Sequence, residues 1–476
     1  MILVEMLVAL RAVRVGATGF NFAGVAVGSL RAPRRWFPAM LHRLALQHVG
    51  PAERLAVEFS PRVNLITGDN GLGKSFLLDI AWWALTRTWA HYQARPDAVR
   101  DATPTISFSF GSEGKKDITY TSQFDWEQQA WLSKPGRPAS PGMVLYAQVD
   151  GSFSVWDPAR NYWKNAPTLG IDAPDRPSAY LFAPDKVWDG LERRDPSDPA
   201  RTQWLCNGLI RDWASWQKEN GAAFKQFCSV LAGLSPSPSE QLTPGRLTRI
   251  SLGDNRDMPT LRMPYGKEVA IVHASAAIRR IAALAYLLVW TWQEHVRASE
   301  LINRAPTRQI IFLIDEAEAH LHPAWQRRIL RSLMDVMADL ISSERVEVQV
   351  LVVTHSPLLL ASMEPVFSRE RDALWIFDLV AGSEGPEIQL RKDEWHRRGD
   401  ASTWLRSIFG LAETRSIEAE AALTQADVLM RGPVPERALF EKHYDALRRA
   451  LPGDDPFWVD WRAWAWRNGL LKGNQP

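Results

Sequence analysis

The chain has 476 residues, of which 46% are hydrophobic and 23% charged, and its formal net charge is +2. This length predicts two or three structural lobes, and the small net charge excludes a strong overall field that would point to nucleic acid or membrane. The two cysteines, Cys206 and Cys228, exclude a disulfide framework and favour a cytoplasmic location.

The first 20 residues are apolar but are interrupted by Glu5, Arg11 and Arg14. No stretch reaches the roughly 20 apolar residues of a membrane span, so we predict no membrane-spanning helix. The arginines follow the apolar run, whereas a signal peptide carries its charge before it. Two interpretations stay open for residues 1–39: an upstream extension that precedes the fold, and an accessory hairpin.

Strand-like and helix-like segments alternate between residues 40 and 400, which predicts an α/β fold with a largely parallel sheet covered by helices. Within this range, residues 105–160 show the alternation of an antiparallel β subdomain. Residues 200–245 have the pattern of a helical insertion, and residues 250–400 that of a second lobe. Residues 401–476 are helical and charged, and we predict that this tail docks a partner.

A glycine-rich stretch lies between the apolar strand VNLIT and a predicted helix; its residues are Gly68, Asp69, Asn70, Gly71, Leu72, Gly73, Lys74 and Ser75. A strand, G-x-x-x-x-G-K-S and a helix in this order are the pattern of a phosphate-binding P-loop. The glycines let backbone N–H groups point at phosphate oxygens, and the helix N-terminus adds positive potential. Lys74 is expected to reach the β- and γ-phosphates of ATP, and the Ser75 hydroxyl to ligate Mg²⁺.

A second apolar run, residues 310–314, ends in Asp315 and Glu316, which is the pattern of a Walker B strand. We expect Asp315 to hold Mg²⁺ and Glu316 to polarise the attacking water. Adjacent residues of a strand point to opposite faces, so the pair is expected where the strand ends and the chain turns.

A third apolar run, residues 350–353, leads into Thr354-His355-Ser356. A lone histidine is more often structural than functional. The spacing of one helix and one strand after Asp315 nevertheless favours a functional histidine. His355 is expected to contact the γ-phosphate and sense its hydrolysis.

These three motifs together resemble the ABC-type ATPase heads of the SMC, RecF and OLD group over roughly residues 40–400, and DEAEAHLHPAWQ is especially similar to OLD-like members of the AAA family. The resemblance implies a P-loop NTPase fold of ABC-ATPase type and a homodimer whose heads sandwich ATP. One head would supply the P-loop, and the other a signature segment, here residues 273–280 with Ser275 facing the γ-phosphate. Related signatures usually carry glycine where Ala276 and Ala277 stand, which puts fast hydrolysis in question more than nucleotide binding.

Three assignments stay open within this resemblance. Gln148 and Gln123 are both candidates for the Q-loop glutamine. Glu318 and His320 fit a D-loop-like role after the Walker B strand. His320 and His322 are alternatively candidates for a zinc site. Such a site would be weak, because no third ligand lies nearby in the sequence.

The tail of about 75 residues is too short for the Toprim nuclease domain of OLD nucleases. Asp454, Asp455 and Asp460 follow no buried strand, and we interpret them as part of a docking surface rather than as a catalytic triad. The tail segment LRSIFGLAETRSIEAEAAL and the intact head are similar to the ATPase subunits of Septu-type and retron-linked anti-phage systems, in which a separate HNH nuclease acts in trans.

The leading hypothesis is an ATPase without a nuclease domain of its own that dimerises on ATP and regulates a partner nuclease in anti-phage defence. The alternative is a RecF-like ATPase of DNA repair or maintenance, which would bind DNA through a basic groove across the dimer. A third hypothesis is a nucleotide-dependent scaffold with almost no hydrolysis, which Ala276 and Ala277 would suit.

Overall fold

The computed structural model describes residues 40–97, 103–111, 118–132, 140–161, 176–194, 198, 200–341, 346–382, 385–411 and 414–471. Residues 1–39, for which two interpretations were open, lie outside the described residues, as do the last five residues of the tail.

The strands in chain order are β1 (Met40–Gln47), β2 (Arg54–Glu58), β3 (Val63–Gly68), β4 (Thr105–Gly111), β5 (Ile118–Asp125), β6 (Ala130–Trp131), β7 (Met143–Ala147), β8 (Phe153–Trp156), β9 (Tyr180–Phe182), β10 (Leu191–Arg194), β11 (Thr202–Cys206), β12 (Thr243–Pro244), β13 (Thr260–Arg262), β14 (Glu268–Ala270), β15 (Gln309–Asp315), β16 (Glu347–Val353), β17 (Asp372–Ala381) and β18 (Pro386–Lys392). The helices are α1 (Lys74–Thr86), α2 (Pro184–Asp189), α3 (Leu209–Glu219), α4 (Ala222–Gly233), α5 (Ala276–Leu301), α6 (Pro323–Gln326), α7 (Ile329–Leu340), α8 (Pro357–Met363), α9 (Ala401–Ile408), α10 (Ile417–Arg431), α11 (Arg437–Ala450) and α12 (Phe457–Arg467).

An eight-stranded sheet in the order β18-β17-β3-β16-β15-β7-β8-β9 forms the core. Its five neighbouring strands from β17 to β7 run parallel. The outer strands β18, β8 and β9 pair antiparallel at the two edges. Strands β3 and β15 are buried along their whole length, as continuous apolar runs in a covered parallel sheet must be. The predicted α/β fold with a parallel core sheet is confirmed.

Helices cover both faces of this sheet, and the side chains of β15 show how. Ile310, Phe312 and Ile314 belong to the hydrophobic core that contains α5 and α7. Ile311 and Leu313 point the other way, into the core that contains α1 and the second sheet. Residues 310–314 of this strand are therefore apolar on both faces, which is why its sequence shows no alternation.

The second sheet is antiparallel, in the order β2-β1-β4-β5-β6. The sequence predicted a single β subdomain over residues 105–160, and the structure divides that range. Strands β4, β5 and β6 join β1 and β2, whereas β7 and β8 lie in the core sheet. Strand β7 is an apolar segment that pairs in parallel with β15, and its own sequence does not show which sheet it joins.

The range predicted as a helical insertion, residues 200–245, contains strand β11 as well as helices α3 and α4. Strand β11 forms a two-stranded antiparallel sheet with β10. In the tail, α10, α11 and α12 share a hydrophobic core of their own, in which Phe440, Leu447 and Trp461 are buried. None of the helices in the described ranges combines the length and the hydropathy needed to cross a bilayer.

Candidate functional site

The candidate site lies at the edge of the core sheet where the parallel strands end. Strand β3 ends at Gly68, β15 at Asp315 and β16 at Val353. The N–H of Glu316 donates to the carbonyl of Val353 at 3.0 Å, so the chain beyond β15 stays beside the end of β16. The carboxyl ends of strands in an open α/β sheet are the usual position of a ligand site.

The P-loop begins at Gly68 and ends at Gly73, and both glycines have backbone angles that other residues avoid. Gly68 has a φ of +127°, and a Cβ there would lie 2.1 Å from the carbonyl oxygen of Phe377. Gly73 has a φ of +94° and is the N-cap residue of α1. The tight turn from strand to helix therefore requires glycine at both ends. Between them, residues 69–71 are exposed at the N-terminal end of the helix.

Lys74 is the first residue of α1, and its side chain turns back over the loop. Its ammonium group donates to the carbonyl of Gly68 at 3.0 Å and to the carbonyl of Asp69. Burial lowers the pKa of Lys74, and the negative charges of Glu316, Asp69 and Asp315 partly offset this shift. A cation is thus held inside the loop, at the position from which it can reach a phosphate oxygen.

The structure brings Ser75 and Asp315 together, as the two motifs predicted. Burial raises the pKa of Asp315 to about 6, against the lowering effect of its hydrogen bond with Ser75, and the charge of Glu316 raises it further. The Oδ1 atom of Asp315 is buried and has no hydrogen-bond partner among the described residues. An unsatisfied carboxylate oxygen beside an exposed hydroxyl suits a hard cation with oxygen ligands, so the two residues fit Mg²⁺.

Glu316 and His355 face each other across the site. Glu316 follows the last residue of β15 and has a φ of +49°, in the left-handed region that few non-glycine residues adopt. Its Oε1 atom lies 3.9 Å from Nε2 of His355. Burial and the charge of Lys74 lower the pKa of His355, which favours the neutral imidazole. The strained backbone at the end of the strand is typical of a functional residue.

Arg280, to which the sequence assigned no role, ties helix α5 to these residues. Its guanidinium donates to the carbonyl of Glu316 at 2.9 Å and to that of Asp315 at 3.3 Å. It also donates to the carbonyl of Val149, in the turn between β7 and β8, at 2.6 Å. Arg280 lies within the predicted signature segment, but its partners come from other parts of the chain, so these contacts could not be predicted from the sequence.

We expect Arg280→Met to lower the kcat/KM of ATP hydrolysis by about 10- to 100-fold, because hydrogen bonds to a charged group contribute about 1.5–3 kcal/mol and these ones hold the backbone of Glu316. Steady-state phosphate release measures this effect. Arg297→Met is the matched control, since Arg297 is an exposed arginine on the same helix and lies outside residues 273–280. Equal rates for the two variants would contradict a positioning role for Arg280.

The two candidate Q-loop glutamines lie in different sheets. Gln148 directly follows β7, is buried, and donates from Nε2 to the Ser154 hydroxyl at 3.0 Å. Its carbonyl lies 3.5 Å from the guanidinium of Arg280, beside the ends of β7 and β15. Gln123 lies in β5 of the second sheet and is exposed. Of the two, the structure places only Gln148 at the candidate site.

The remaining predicted residues lie around this cluster. Ser275 is exposed at the N-cap of α5, where its hydroxyl accepts from the N–H of Ile278 at 3.4 Å. This hydrogen bond lies within its own helix. Glu318 is buried close to His355, and His320 has a φ of +64°. The ring of His322 caps α6 by accepting from the N–H of Ala324 at 3.3 Å.

Several solved structures are similar to this chain at low identity. One is the SMC head domain from Thermotoga maritima, at 14% identity and a TM-score of 0.36, covering 75% of this chain and 100% of that chain. Another, an SmcHead bound to the C-winged helix domain of ScpA, has the same identity and TM-score, with 75% and 98% covered. A third is an Smc head domain with an extended coiled coil, bound to the C-terminal domain of ScpA derived from Pyrococcus furiosus, at 11% identity, a TM-score of 0.35, and 74% and 96% covered.

The sequence profile of one protein family, described as "AAA domain, putative AbiEii toxin, Type IV TA system", matches residues 63–361. This range is more than half of the chain, and it contains the P-loop, the Asp315–Glu316 pair and His355. The chain therefore belongs to this family of AAA domains.

Proposed function

We propose that the protein binds and hydrolyses ATP with Mg²⁺, dimerises head to head on ATP, and thereby regulates a separate nuclease in anti-phage defence. The convergence of Lys74, Asp315, Glu316 and His355 at one edge of the core sheet carries the ATPase part of this proposal. These side chains come from three separate motifs, with Asp315 and Glu316 from the same one, and each would have a role in phosphoryl transfer.

The reaction would depend on positioning and charge. The P-loop N–H groups and the ammonium of Lys74 would bind the phosphates, while Ser75 and Asp315 would hold Mg²⁺, which when bound neutralises charge on the phosphate oxygens. Glu316 would orient the attacking water and accept its proton. His355, whose neutral form is favoured because burial and the charge of Lys74 lower its pKa, would hydrogen-bond to the γ-phosphate.

The homodimer is supported by the position of Ser275. This residue is exposed at the N-terminus of α5, a helix of 26 residues, and a helix N-terminus favours a phosphate. Arg280, one and a half turns further along, contacts the Walker B residues of its own head. Helix α5 would then contact the partner's ATP through Ser275 and the backbone of Glu316 in its own head through Arg280.

Mixing two inactive variants tests the shared site. Lys74→Ala removes the P-loop cation, and Ser275→Arg places a bulky cation where the signature would meet the other head. Each variant alone is expected to be inactive. In an equal mixture, half of the dimers contain one intact composite site, so ATPase activity is expected to recover to about a quarter of the wild-type rate.

Ser416→Arg is the control for loss of a helix N-cap, because the Ser416 hydroxyl caps α10 in the tail in the same way. It is expected to leave ATP hydrolysis unchanged. A mixture that stays inactive, while each variant keeps the wild-type melting temperature, would contradict an ATP site that is shared between two heads.

The partner part of the proposal is supported by the tail. Helices α10–α12 have their own core, and Val459 and Trp466 are exposed seven residues apart on α12, on one face of that helix. Of the tail acids, Asp455 is buried in an ion pair with Arg415. The free thiols of both cysteines favour the cytoplasm.

The partner test uses the tagged Glu316→Gln protein, expressed in the native host and purified with Mg²⁺ and ATP. Mass spectrometry identifies what is purified with it. Recovery of a small nuclease, of HNH type by the resemblance to Septu-type systems, would support the proposal. Recovery of only a homodimer that carries DNA would favour the RecF-like alternative, in which DNA itself is the partner.

A further inference from the structure

Glu318 makes a set of hydrogen bonds that links two motifs distant in the sequence. It lies in the turn that follows β15 and is 8% exposed. Its Oε1 atom accepts from the hydroxyl of Thr354 at 2.7 Å and from the N–H of His355 at 2.6 Å. The same oxygen accepts from the N–H of Ser356 at 3.1 Å. One carboxylate oxygen thus accepts hydrogen bonds from three successive residues, Thr354, His355 and Ser356, which we call the histidine segment.

Such a carboxylate is costly to bury. Its bonds come from neutral groups, and its Oε2 atom has no partner among the described residues. Burial raises the pKa of Glu318, and the bonds from Thr354 and His355 counteract that shift. A buried acid that leaves one oxygen unsatisfied adds little to stability compared with an apolar side chain of the same volume. Its placement points instead to a geometric role.

The geometry that Glu318 controls is that between the two catalytic candidates. Glu316 and Glu318 belong to one short turn, since the N–H of Ala319 donates to the carbonyl of Glu316 at 3.0 Å. The backbone of His355 is held by Glu318, while its ring lies 3.9 Å from the carboxylate of Glu316. Any movement of the turn therefore carries the histidine segment with it.

A second contact holds the other side of the same segment. The hydroxyl of Ser356 donates to the Oε1 atom of Gln326 at 2.8 Å, and it also caps α8. The amide of Gln326 donates to the carbonyl of Leu321, in the turn after Glu318, at 2.9 Å. The histidine segment is therefore attached at two points to the chain that follows β15, and Glu318 provides the buried one.

We propose that Glu318 is a positioning residue of the ATPase reaction: its carboxylate fixes His355 against Glu316, so that the ends of β15 and β16 act as one unit. This inference rests on the proposed function, and it assigns to Glu318 a role within its own head, where the family resemblance suggested only a D-loop-like position. The residue acts through His355 and does not contact the substrate.

The test is a double-mutant cycle of Glu318→Ala with His355→Ala. Each single variant is expected to lower kcat by about 10- to 100-fold and to change the Kd for ATP by less than about threefold. If Glu318 acts through the histidine, Glu318→Ala lowers kcat by less than about threefold in the His355→Ala background. Losses that multiply independently would overturn the inference.

Two substitutions of Glu318 distinguish the effect of its side-chain length from the effect of its negative charge. Glu318→Gln keeps an acceptor oxygen at the same distance and is expected to retain more activity than Glu318→Asp, which is one methylene shorter. If the alanine variant does not fold, Thr354→Val replaces it in the cycle, because it removes the hydroxyl donor while nearly preserving volume. Its smaller loss of kcat is expected to disappear in the His355→Ala background.

Glu364 provides the matched control. It is another buried carboxylate with N–H donors, which come from Arg398, Gly399 and Trp404 and tie α9 to α8 away from the site. Glu364→Ala is expected to lower the melting temperature but to lower kcat by the same factor with and without His355. A coupling to His355 as large as that of Glu318 would show that lost stability explains both effects, which would overturn the inference.

Hydrogen exchange gives a readout that does not depend on turnover. The amides of His355 and Ser356 are expected to exchange at least about tenfold faster in Glu318→Ala, whereas Glu364→Ala leaves them unchanged. Unchanged exchange in Glu318→Ala would overturn the inference alone. A wild-type protein without any turnover would overturn the proposed function and, with it, the catalytic part of this inference.

Discussion

Lys74→Ala is expected to raise the Kd for ATP about 30- to several-thousand-fold, which at the upper end abolishes measurable binding. The ammonium group is buried inside the P-loop and already bound to the carbonyls of Gly68 and Asp69. Truncating one partner of a buried, hydrogen-bonded charge pair costs roughly 2–5 kcal/mol, and 1.4 kcal/mol is a factor of ten in Kd. The phosphates would lose their cation while the loop keeps its shape.

Isothermal titration with ATP and Mg²⁺ measures the effect directly. Lys186→Ala is the control, because Lys186 also lies in the first turn of a helix but is only partly buried, beside Asp185 and outside the P-loop. We expect Lys74→Ala to keep the wild-type melting temperature without nucleotide, since removing a desolvated cation does not open the core. Normal ATP affinity in Lys74→Ala would remove the P-loop assignment.

The local motifs could be predicted because each is encoded within one short stretch of sequence. The P-loop needs a strand, a glycine turn and a helix in direct succession, and Gly68 to Ser75 contain all the residues that define it. The turn after Asp315 followed from the rule that adjacent strand residues face opposite ways, and Glu316 has the left-handed backbone that such a turn requires. The assignment of catalytic roles to these residues stays a prediction.

The links between motifs could not be predicted, because they depend on how distant elements pack. Arg280 reaches the carbonyl of Glu316, 36 positions later, only because α5 crosses the end of β15. Glu318 bonds to Thr354 because β15 and β16 pair in parallel with Asp315 opposite Val353. A shift of that register by one residue would separate the two. The sequence contains these residue types but not the register.

The same reasoning explains the division of the predicted β subdomain. The segment Met143–Ala147 has the apolar composition of a strand in either sheet. Its position beside β15 follows from the parallel pairing of Ile310 with Met143, a contact between residues more than 160 positions apart. That pairing also places Gln148 at the candidate site, which separates it from Gln123. Topology, and not local propensity, therefore decides which glutamine lies at the site.

Glu316→Gln is expected to lower kcat about 10²- to 10⁴-fold, the usual contribution of a general base, while ATP still binds. The amide has the shape of the carboxylate but does not accept a proton. Lys74, Ser75 and Asp315 are unchanged, and loss of the neighbouring negative charge removes one cause of the raised pKa of Asp315. ATP that binds without being hydrolysed should hold the two heads closed.

Single-turnover ATP hydrolysis and light scattering after size exclusion distinguish the possible outcomes. A slow variant that stays dimeric with ATP, beside a wild-type protein that returns to monomer, supports hydrolysis as the opening step. Glu347→Gln at the exposed start of β16 is the control and should match wild type. Wild-type turnover by Glu316→Gln would remove Glu316 as the base. If the wild-type protein is itself as slow as the variant, Ala276 and Ala277 become the reason to favour a nucleotide-dependent scaffold, because their Cβ atoms stand where related signatures let a phosphate approach.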